Sequence, residues 1–385
     1  MFSLLLALIY LSFISLGLPD SLLGSAWPVM RIEFGASLSF AGVITMIISG
    51  CTIVSSLMSD AITRRLGAGL TTAVSVGMTA AALFGFSIAD STIALCLLAI
   101  PYGLGAGAVD AALNNYVALH FSARHMSWLH CFWGVGASIS PFIMSACLAQ
   151  NNNWRAGYSS VSIIQLVLTL LLFATLPIWK KKADEDGGTE AAHIGIRGAL
   201  KIKGVPYMLL AFFGYCAMEA TVFMWASSYL YEYRGIDVET AARFGSLAYL
   251  GISAGRFLNG FIADRVGDRR LIRIGSCVVL AGIIMVALPL PGDMTALAGL
   301  VIIGIGCAPI YPSIIHSTPV NFGKENSQAI VGIQMASAYT GSTFMPPLFG
   351  WLGEHISMGL YPFFMAVFTL LMIVMTERLN RVVKI

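Results

Sequence analysis

The chain has 385 residues, of which 57% are hydrophobic and only 11% are Asp, Glu, Lys or Arg, with a formal net charge of +3. Soluble globular domains carry about 25% charged residues, so this composition excludes a soluble fold and indicates a polytopic membrane protein. The net charge of +3 by itself says nothing about nucleic acid, and we expect no nucleic-acid partner. The seven cysteines include no C-x-x-C pair, so we expect no disulfide framework and no metal site.

Apolar runs recur along the whole chain, and a bilayer span needs about 20 such residues. The first run lacks a basic start and a small-residue cleavage site, so we interpret it as a retained span and not as a signal peptide. The runs lie at about residues 3–29, 38–58, 70–89, 91–119, 127–149 and 155–178, and then at about 205–231, 240–261, 271–290, 295–318, 327–350 and 357–376.

This pattern predicts an all-α integral membrane protein with twelve transmembrane helices in two pseudo-symmetric six-helix bundles. The expected division is an N-terminal bundle at 1–179, a charged cytoplasmic linker at 180–204 and a C-terminal bundle at 205–385. Of the 22 Lys and Arg residues, 17 fall on the side of the N-terminus, four on the other side, and Arg256 inside a span. Cytoplasmic loops are enriched in Lys and Arg, so we expect both termini in the cytoplasm.

The loops after the second and eighth spans repeat one another. They read SDAITRRLG at 59–67 and ADRVGDRRL at 263–271, and each places an acid five residues before an arginine. The segment GRFLNGFIADRVGDRR at 255–270 resembles the signature loop G-x-x-x-D-R-x-G-x-R-R of the major facilitator superfamily. The matching residues are Gly260, Asp264, Arg265, Gly267, Arg269 and Arg270. The first copy keeps Asp60, Arg64 and Arg65, but Ala61 and Thr63 replace the first Arg and the Gly.

The resemblance implies the fold of that superfamily, with alternating access by two rocking bundles. In that family the Asp and Arg of the loop hold neighbouring helices together on the cytoplasmic side. It therefore assigns a cytoplasmic gate to Asp60, Arg64, Arg65, Asp264, Arg265, Arg269 and Arg270. We add Arg256, a lone basic residue inside the eighth span, to the expected gate.

Two acids within apolar spans resemble those of the fucose–proton symporter branch of sugar carriers. Asp20 lies in GLPDSLLGSAWP of the first span, and Asp110 lies in GAVDAALNNYVALH of the fourth. In that branch the first-span acid and the fourth-span acid, there a Glu, take part in proton coupling and sugar binding. An acid in an apolar span is a functional candidate in its own right, because burial favours the protonated carboxyl group.

Each acid also has a structural alternative. Asp20 lies far along its span and is also consistent with a hydrated funnel at the outer end. Asp110 shares a helix face with Asn114 and with the stripe of Gly103 and Gly107, where a neighbouring helix can approach closely. A clasp to another helix, or an inner gating pair with Arg256, competes with a role in transport chemistry.

Polar and aromatic residues of other spans are candidates for binding a sugar, because hydroxyl groups need hydrogen-bond partners and indole rings stack on pyranoses. Glu219 precedes Trp225 by six residues near the middle of the seventh span. The full set of expected substrate-binding residues is Asn114, Trp133, Glu219, Trp225, Tyr311, Gln334 and Tyr339. Trp133 has an interfacial anchor as its alternative, and Glu219 an interhelical hydrogen bond in the protonated state.

These observations predict proton-coupled uptake of a small neutral sugar, a hexose or deoxyhexose, by alternating access. The alternative is an exporter of drugs or amphiphiles with the same fold, although Pro141 follows Ser140 and not the glycine typical of exporters. A membrane enzyme or sensor lacks support, since no Walker loop, GxSxG or HExxH motif occurs. We therefore expect no catalytic residues and no cofactor. We expect a monomer surrounded by lipid, with a small solute and protons as its partners, in a plasma membrane of the bacterial inner-membrane type.

Overall fold

The structure is a computed structural model that describes residues 2–149, 153–179, 194–288 and 293–383. Within these ranges the chain is helical and forms no β-strand. The helices are α1 Phe2–Gly17, α2 Leu22–Glu33, α3 Phe40–Ile88, α4 Thr92–His120, α5 Ala123–Leu148, α6 Trp154–Ala174, α7 Gly195–Lys201, α8 Val205–Ser228, α9 Val238–Val266, α10 Asp268–Ala287, α11 Met294–Cys307, α12 Ile310–His316, α13 Thr318–Phe322, α14 Lys324–His355 and α15 Tyr361–Val382. Nine segments of the described chain are long and apolar enough to cross a membrane.

Helix α3 has 49 residues and contains two of the predicted spans. Between these spans its backbone is not helical at Gly67, where φ is 75° and ψ is 160°. The second copy of the repeated loop has the same backbone turn at Gly267, with φ 82° and ψ 151°. In the first copy Thr63 stands where the signature has its glycine. A positive φ is strained for threonine, so the helix continues for one more turn until it reaches a glycine. The predicted loop at 59–67 is therefore helical up to Leu66.

The predicted first span is divided into α1 and α2 by a turn at residues 18–21. Pro19 has no N–H to continue the hydrogen bonding of α1. The Ser15 carbonyl group instead accepts a hydrogen bond of 2.7 Å from Gln165 Nε2. The break places Asp20 in the turn and not inside a continuous helix.

The described residues fall into two compact units. The first takes its residues from Met1–Tyr116, Leu129–His193 and Lys324–Ala336, and the second from Val117–Trp128, Ile194–Gly323 and Ser337–Ile385. Each unit thus contains most of one half of the chain and a short segment of the other half. The predicted bundle boundaries stay a prediction: α7 occupies part of the predicted linker, and residues 180–193 lie outside the described residues.

In the first unit, the start of α3 and α4 are in backbone contact through glycine. A Cβ atom at Gly103 would meet the carbonyl oxygen of Ile48. Thr52 Oγ1 donates to the Gly103 carbonyl at 3.2 Å, and Ser55 Oγ donates to the Leu104 carbonyl at 2.5 Å. Small residues let helix backbones approach closely in lipid, where no hydrophobic effect drives the helices together.

In the second unit, α8 packs against α15, and α11 packs against both α9 and α10. The buried tyrosines of this unit satisfy their hydroxyl groups on backbone carbonyls. Tyr229 donates to Val286 O at 3.1 Å, and Tyr361 donates to Val222 O at 2.9 Å. These bonds let bulky aromatic side chains fill the interior without an unsatisfied polar group.

Candidate functional site

Asp20 lies in the turn between α1 and α2, and its side chain is exposed. Trp133 Nε1 of α5 donates to one carboxyl oxygen at 3.0 Å, and the Tyr102 hydroxyl of α4 donates to the other at 3.3 Å. Two of the predicted residues, Asp20 and Trp133, are therefore in contact. Interrupted transmembrane helices commonly supply substrate and ion sites in transporters, because the break exposes polar groups at depth.

Asp110 belongs to a second polar group, which is buried. Asn114 Nδ2 donates to Asp110 Oδ1 at 2.8 Å, and the ring Nε2 of His130 lies 3.1 Å from Asn114 Oδ1. The exposed fractions are 4% for Asp110, 0% for Asn114 and 5% for His130. The chain of side chains joins α4 to α5, and each link is short enough to orient the next group. The Asn114–Asp110 bond is the one that the four-residue spacing indicates.

Asn115 forms a buried contact between α4 and the start of α14. Its Nδ2 donates to Gln328 Oε1 at 2.7 Å, and its Oδ1 accepts from Ser327 Oγ at 2.5 Å. We call these three residues the amide clasp. Neither Asn115 nor Gln328 is among the site residues that we expected from the sequence. Gln334 lies two turns further along α14, fully buried in the same unit.

In the second unit, Glu219 of α8 pairs with Arg256 of α9. Arg256 Nη2 lies 3.1 Å from Glu219 Oε1, and the same oxygen accepts from the Tyr215 hydroxyl at 2.8 Å. The Arg256 side chain is 5% exposed and the Glu219 side chain 16%. Arg256 thus bonds to Glu219 of its own unit, and a gating pair with Asp110, one of the alternatives for that acid, stays a prediction. Its guanidinium group also lies 5.8 Å from the centre of the Tyr311 ring.

The remaining predicted binding residues of the second unit contact different groups. Trp225 Nε1 donates to the carbonyl of Pro346 in α14 at 2.8 Å, and its ring packs edge-on against Phe349. The Tyr311 ring packs against Phe212, with 4.7 Å between centroids. Tyr339 is half-buried on α14. Their roles in binding stay predictions.

Of the predicted gate residues, Asp60 and Arg256 are buried within helices, and the others lie at helix ends or on partly exposed helix faces. In the first copy, Arg64 Nε lies 3.3 Å from Asp60 Oδ2, one turn away on α3, and Arg65 is exposed. In the second copy, Asp264 accepts hydrogen bonds of 3.0 Å from Ser122 Oγ and from the backbone N–H of Arg124. Arg124 Nε is also 3.4 Å from Asp264 Oδ2.

The basic residues of the second copy do not pair with Asp264. Arg269 Nη2 donates to the carbonyl of Val383 at 3.0 Å, and the side chains of Arg265 and Arg270 are exposed. Asp264 therefore anchors the start of α5. Within the part of the chain that the structure describes, no group of three or more His, Cys, Asp or Glu residues is placed to hold a metal ion.

Comparison with known proteins gives a family match over nearly the whole chain. The sequence profile of the Major Facilitator Superfamily matches residues 9–333 and, in a second match, residues 244–382. The Hexuronate transporter of Bacillus subtilis (strain 168) is 23% identical over 363 residues, which is 88% of this chain and 85% of that protein. The Probable sulfoacetate transporter SauU of Cupriavidus necator is 23% identical over 300 residues, 72% of this chain and 69% of that protein.

Solved structures share the fold at low identity. The fucose:proton symporter FucP of E. coli has a TM-score of 0.80 and 15% identity, with 97% of this chain and 98% of that chain covered. The proton:xylose symporter XylE has a TM-score of 0.76 and 13% identity, with 98% and 95% covered. At these identities the likeness is one of fold.

Proposed function

The chain belongs to the major facilitator superfamily and is a multi-pass membrane transporter of small molecules, not an enzyme, and we propose that it takes up a small sugar together with protons. The observation that carries this proposal is Asp20. A carboxyl group in a helix break, exposed and yet flanked by two aromatic donors, can be protonated from water and can contact a solute.

A neutral hexose or deoxyhexose suits this corner of the first unit. The Trp133 ring offers an apolar face for a pyranose, and the carboxyl group of Asp20 offers hydrogen bonds to hydroxyl groups. A protonated Asp20 both accepts and donates, whereas the carboxylate only accepts. A sugar that binds more tightly to the protonated form of Asp20 couples sugar binding to proton binding. The coupling free energy between two ligands is typically about 1–3 kcal/mol.

A sugar acid is the second candidate substrate. The two relatives named above are described as transporters of hexuronate and, in the other case, probably of sulfoacetate, and both of these solutes are anions. The guanidinium group of buried Arg256 bonds to Glu219 through Nη2, and its Nε has no hydrogen-bond partner among the described residues, so it keeps a donor that suits a carboxylate. Export of amphiphiles, the alternative suggested by the fold, has no comparable support.

The other assignments follow from the same proposal. Asp110, held by Asn114, links protonation to substrate binding or to the inner gate, and Asp264 stabilises one conformation at a helix end. We place both termini on the cytoplasmic side of a bacterial inner membrane because of the distribution of Lys and Arg. We propose that the transporter works as a monomer in lipid, with its two bundles rocking in alternation.

Uptake into proteoliposomes tests the proposal. A panel of radiolabelled sugars and sugar acids is presented with an inward proton gradient, with and without a protonophore. We expect accumulation that the protonophore abolishes. Asp20→Asn mimics the protonated acid, so it should still exchange labelled for unlabelled sugar but should lose accumulation driven by the gradient.

Asp237→Asn is the matched control. Asp237 lies in the loop before α9 and caps it, with its carboxylate accepting from Thr240 N at 2.9 Å. This hydrogen bond holds the pKa of Asp237 below its usual range, so the group stays ionised near neutral pH. Asparagine also caps helices well, so accumulation should persist in the control. Accumulation by Asp20→Asn with undiminished proton flux would contradict the proposal.

A further inference from the structure

The Glu219–Arg256 pair has unused binding capacity. A guanidinium group has five N–H donors in a planar fork that matches a carboxylate in a bidentate arrangement. Arg256 directs Nη2 to Glu219, whereas its buried Nε has no hydrogen-bond partner among the described residues. An arginine whose only function is to neutralise Glu219 has no need for this second edge, and a buried unsatisfied N–H is unfavourable.

Among the described residues, the groups that interact with the pair are weakly acidic, and none of them is a second charge. The titratable groups facing it are Tyr215 on α8, Tyr249 on α9, Cys307 on α11 and Tyr311 on α12, with Cys216 next to Tyr215. Tyr215 bridges Glu219 and the carbonyl of Cys307, with bonds of 2.8 and 3.0 Å. The pair is therefore neutral as a unit, and any added charge has to be balanced within it.

Resting on the proposed transport of sugars, we propose that Arg256 binds the carboxylate of a sugar acid and that Glu219 releases Arg256 by taking up a proton. The carboxylate of the substrate replaces that of Glu219 at the guanidinium group and also engages Nε. A proton from water neutralises Glu219, whose side chain is 16% exposed and thus reachable. The net charge of the site remains zero before and after binding.

The physical reason for the coupling is desolvation. If a substrate anion entered while Glu219 stayed ionised, the buried site would carry an uncompensated negative charge, which is strongly unfavourable in a low-dielectric interior. One proton removes that charge. Binding that takes up one proton changes affinity about tenfold per pH unit where Glu219 is ionised before binding and protonated after it.

Equilibrium binding to the purified full-length protein tests this inference with D-glucuronate and its uncharged analogue D-glucuronamide. Because Asp20 adds a proton dependence of its own under the proposed function, the measurement is made in the Asp20→Asn background. There we expect the dissociation constant for glucuronate to rise about tenfold per pH unit above neutral pH, and that for glucuronamide to stay flat. Glu219→Gln should remove the pH dependence and retain glucuronate binding. Arg256→Gln should weaken glucuronate binding about 30-fold or more and weaken glucuronamide binding far less.

Two further variants guard against misfolding and against general charge effects. The double variant Arg256→Gln/Glu219→Gln leaves no lone buried charge, so it should fold and should still lack glucuronate selectivity. Arg273→Gln removes a different arginine of the same unit, which pairs with Glu377 at 2.6 Å on the exposed surface. Its binding should match that of the unaltered protein.

The outcomes separate this inference from the proposed function. A Glu219→Gln variant with unchanged pH dependence, or equal affinity for glucuronate and glucuronamide, overturns the inference. Uptake of neutral sugars that is driven by a proton gradient, together with no binding of sugar acids, would overturn only the inference. The proposed function would then stand. The Asp20→Asn background removes the proposed coupling proton, so glucuronate binding there should still take up the Glu219 proton.

Discussion

The amide clasp offers a sharp test of how α14 is held against α4. Asn115→Leu keeps the approximate volume of the side chain and removes both hydrogen bonds, to Gln328 and to Ser327. Interhelical side-chain hydrogen bonds in membrane proteins contribute on average about 0.6 kcal/mol, with a maximum near 1.7. Leaving buried partners unsatisfied adds about 1–3 kcal/mol when they find no new bond.

The expected cost of Asn115→Leu is smaller than the sum of these two contributions. Gln328 Nε2 has no hydrogen-bond partner among the described residues, so the clasp is incomplete even before the substitution. Losing both bonds should therefore destabilise this arrangement of α4 and α14 by about 1–3 kcal/mol in total. Because each 1.4 kcal/mol is a factor of ten, the population with α14 released should rise about 5- to 150-fold.

Cysteine labelling measures that population. Ile330 lies on the same stretch of α14 and is 0% exposed, so Ile330→Cys should react with a maleimide only when this stretch of α14 loses its packing. The seven native cysteines are first replaced. In the Asn115→Leu background we expect labelling at least about fivefold faster. The double variant Asn115→Leu/Gln328→Leu should label little faster than Asn115→Leu alone, because the two side chains bond to each other.

Ser162→Ala is the matched control. It removes a buried hydrogen bond of 2.8 Å to Ala80 O, between α6 and α3 of the same unit. We expect a lower unfolding temperature and unchanged labelling of position 330. Equal labelling rates with and without Asn115 would refute the reasoning, because the clasp would then not hold α14.

Two further predictions concern packing and gating. Gly103→Ala should lower the unfolding temperature, because its Cβ would meet the carbonyl of Ile48 and overpacking costs about 1–3 kcal/mol. Gly24→Ala is the control: its Cβ would meet no atom within 4 Å, so the variant should be neutral or slightly stabilising. Asp264→Asn should slow transport while leaving substrate affinity within several-fold, because the carboxylate contacts Arg124 at a helix end. Abolished binding with normal turnover in the same uptake assay would exclude a gating role.

The sequence predicts the architecture well because the relevant signals are local. Apolar runs mark the spans, and the four-residue spacing of Asp110 and Asn114 predicts a shared helix face, which becomes a 2.8 Å hydrogen bond. The glycine stripe of α4 likewise indicates a close helix contact, and the structure has one at Gly103. Each of these features depends on residues within a few turns of one another.

Contacts between helices lie beyond such reasoning. Asp20 and Trp133 are 113 positions apart, and Asn115 and Gln328 are 213 apart, so no periodicity connects them. Arg256 was assigned to the cytoplasmic gate because it is a basic residue in a span, and only the packing of α8 against α9 shows that it faces Glu219. The shift of the loop turn from position 63 to Gly67 depends on which residue tolerates a positive φ.

The two units hold the acids Asp20 and Glu219 in different ways, and this difference decides what each acid can do. Asp20 is held by the neutral donors Trp133 and Tyr102, so gaining a proton leaves no charge behind. Glu219 is held by Arg256, so gaining a proton would leave a buried cation without its partner, at a cost of about 3–5 kcal/mol. Protonation of Glu219 is therefore favourable only when another anion reaches Arg256. Under the proposed function we therefore expect a neutral sugar to need only the proton on Asp20, and a sugar acid to bring the anion that lets Glu219 take a second proton.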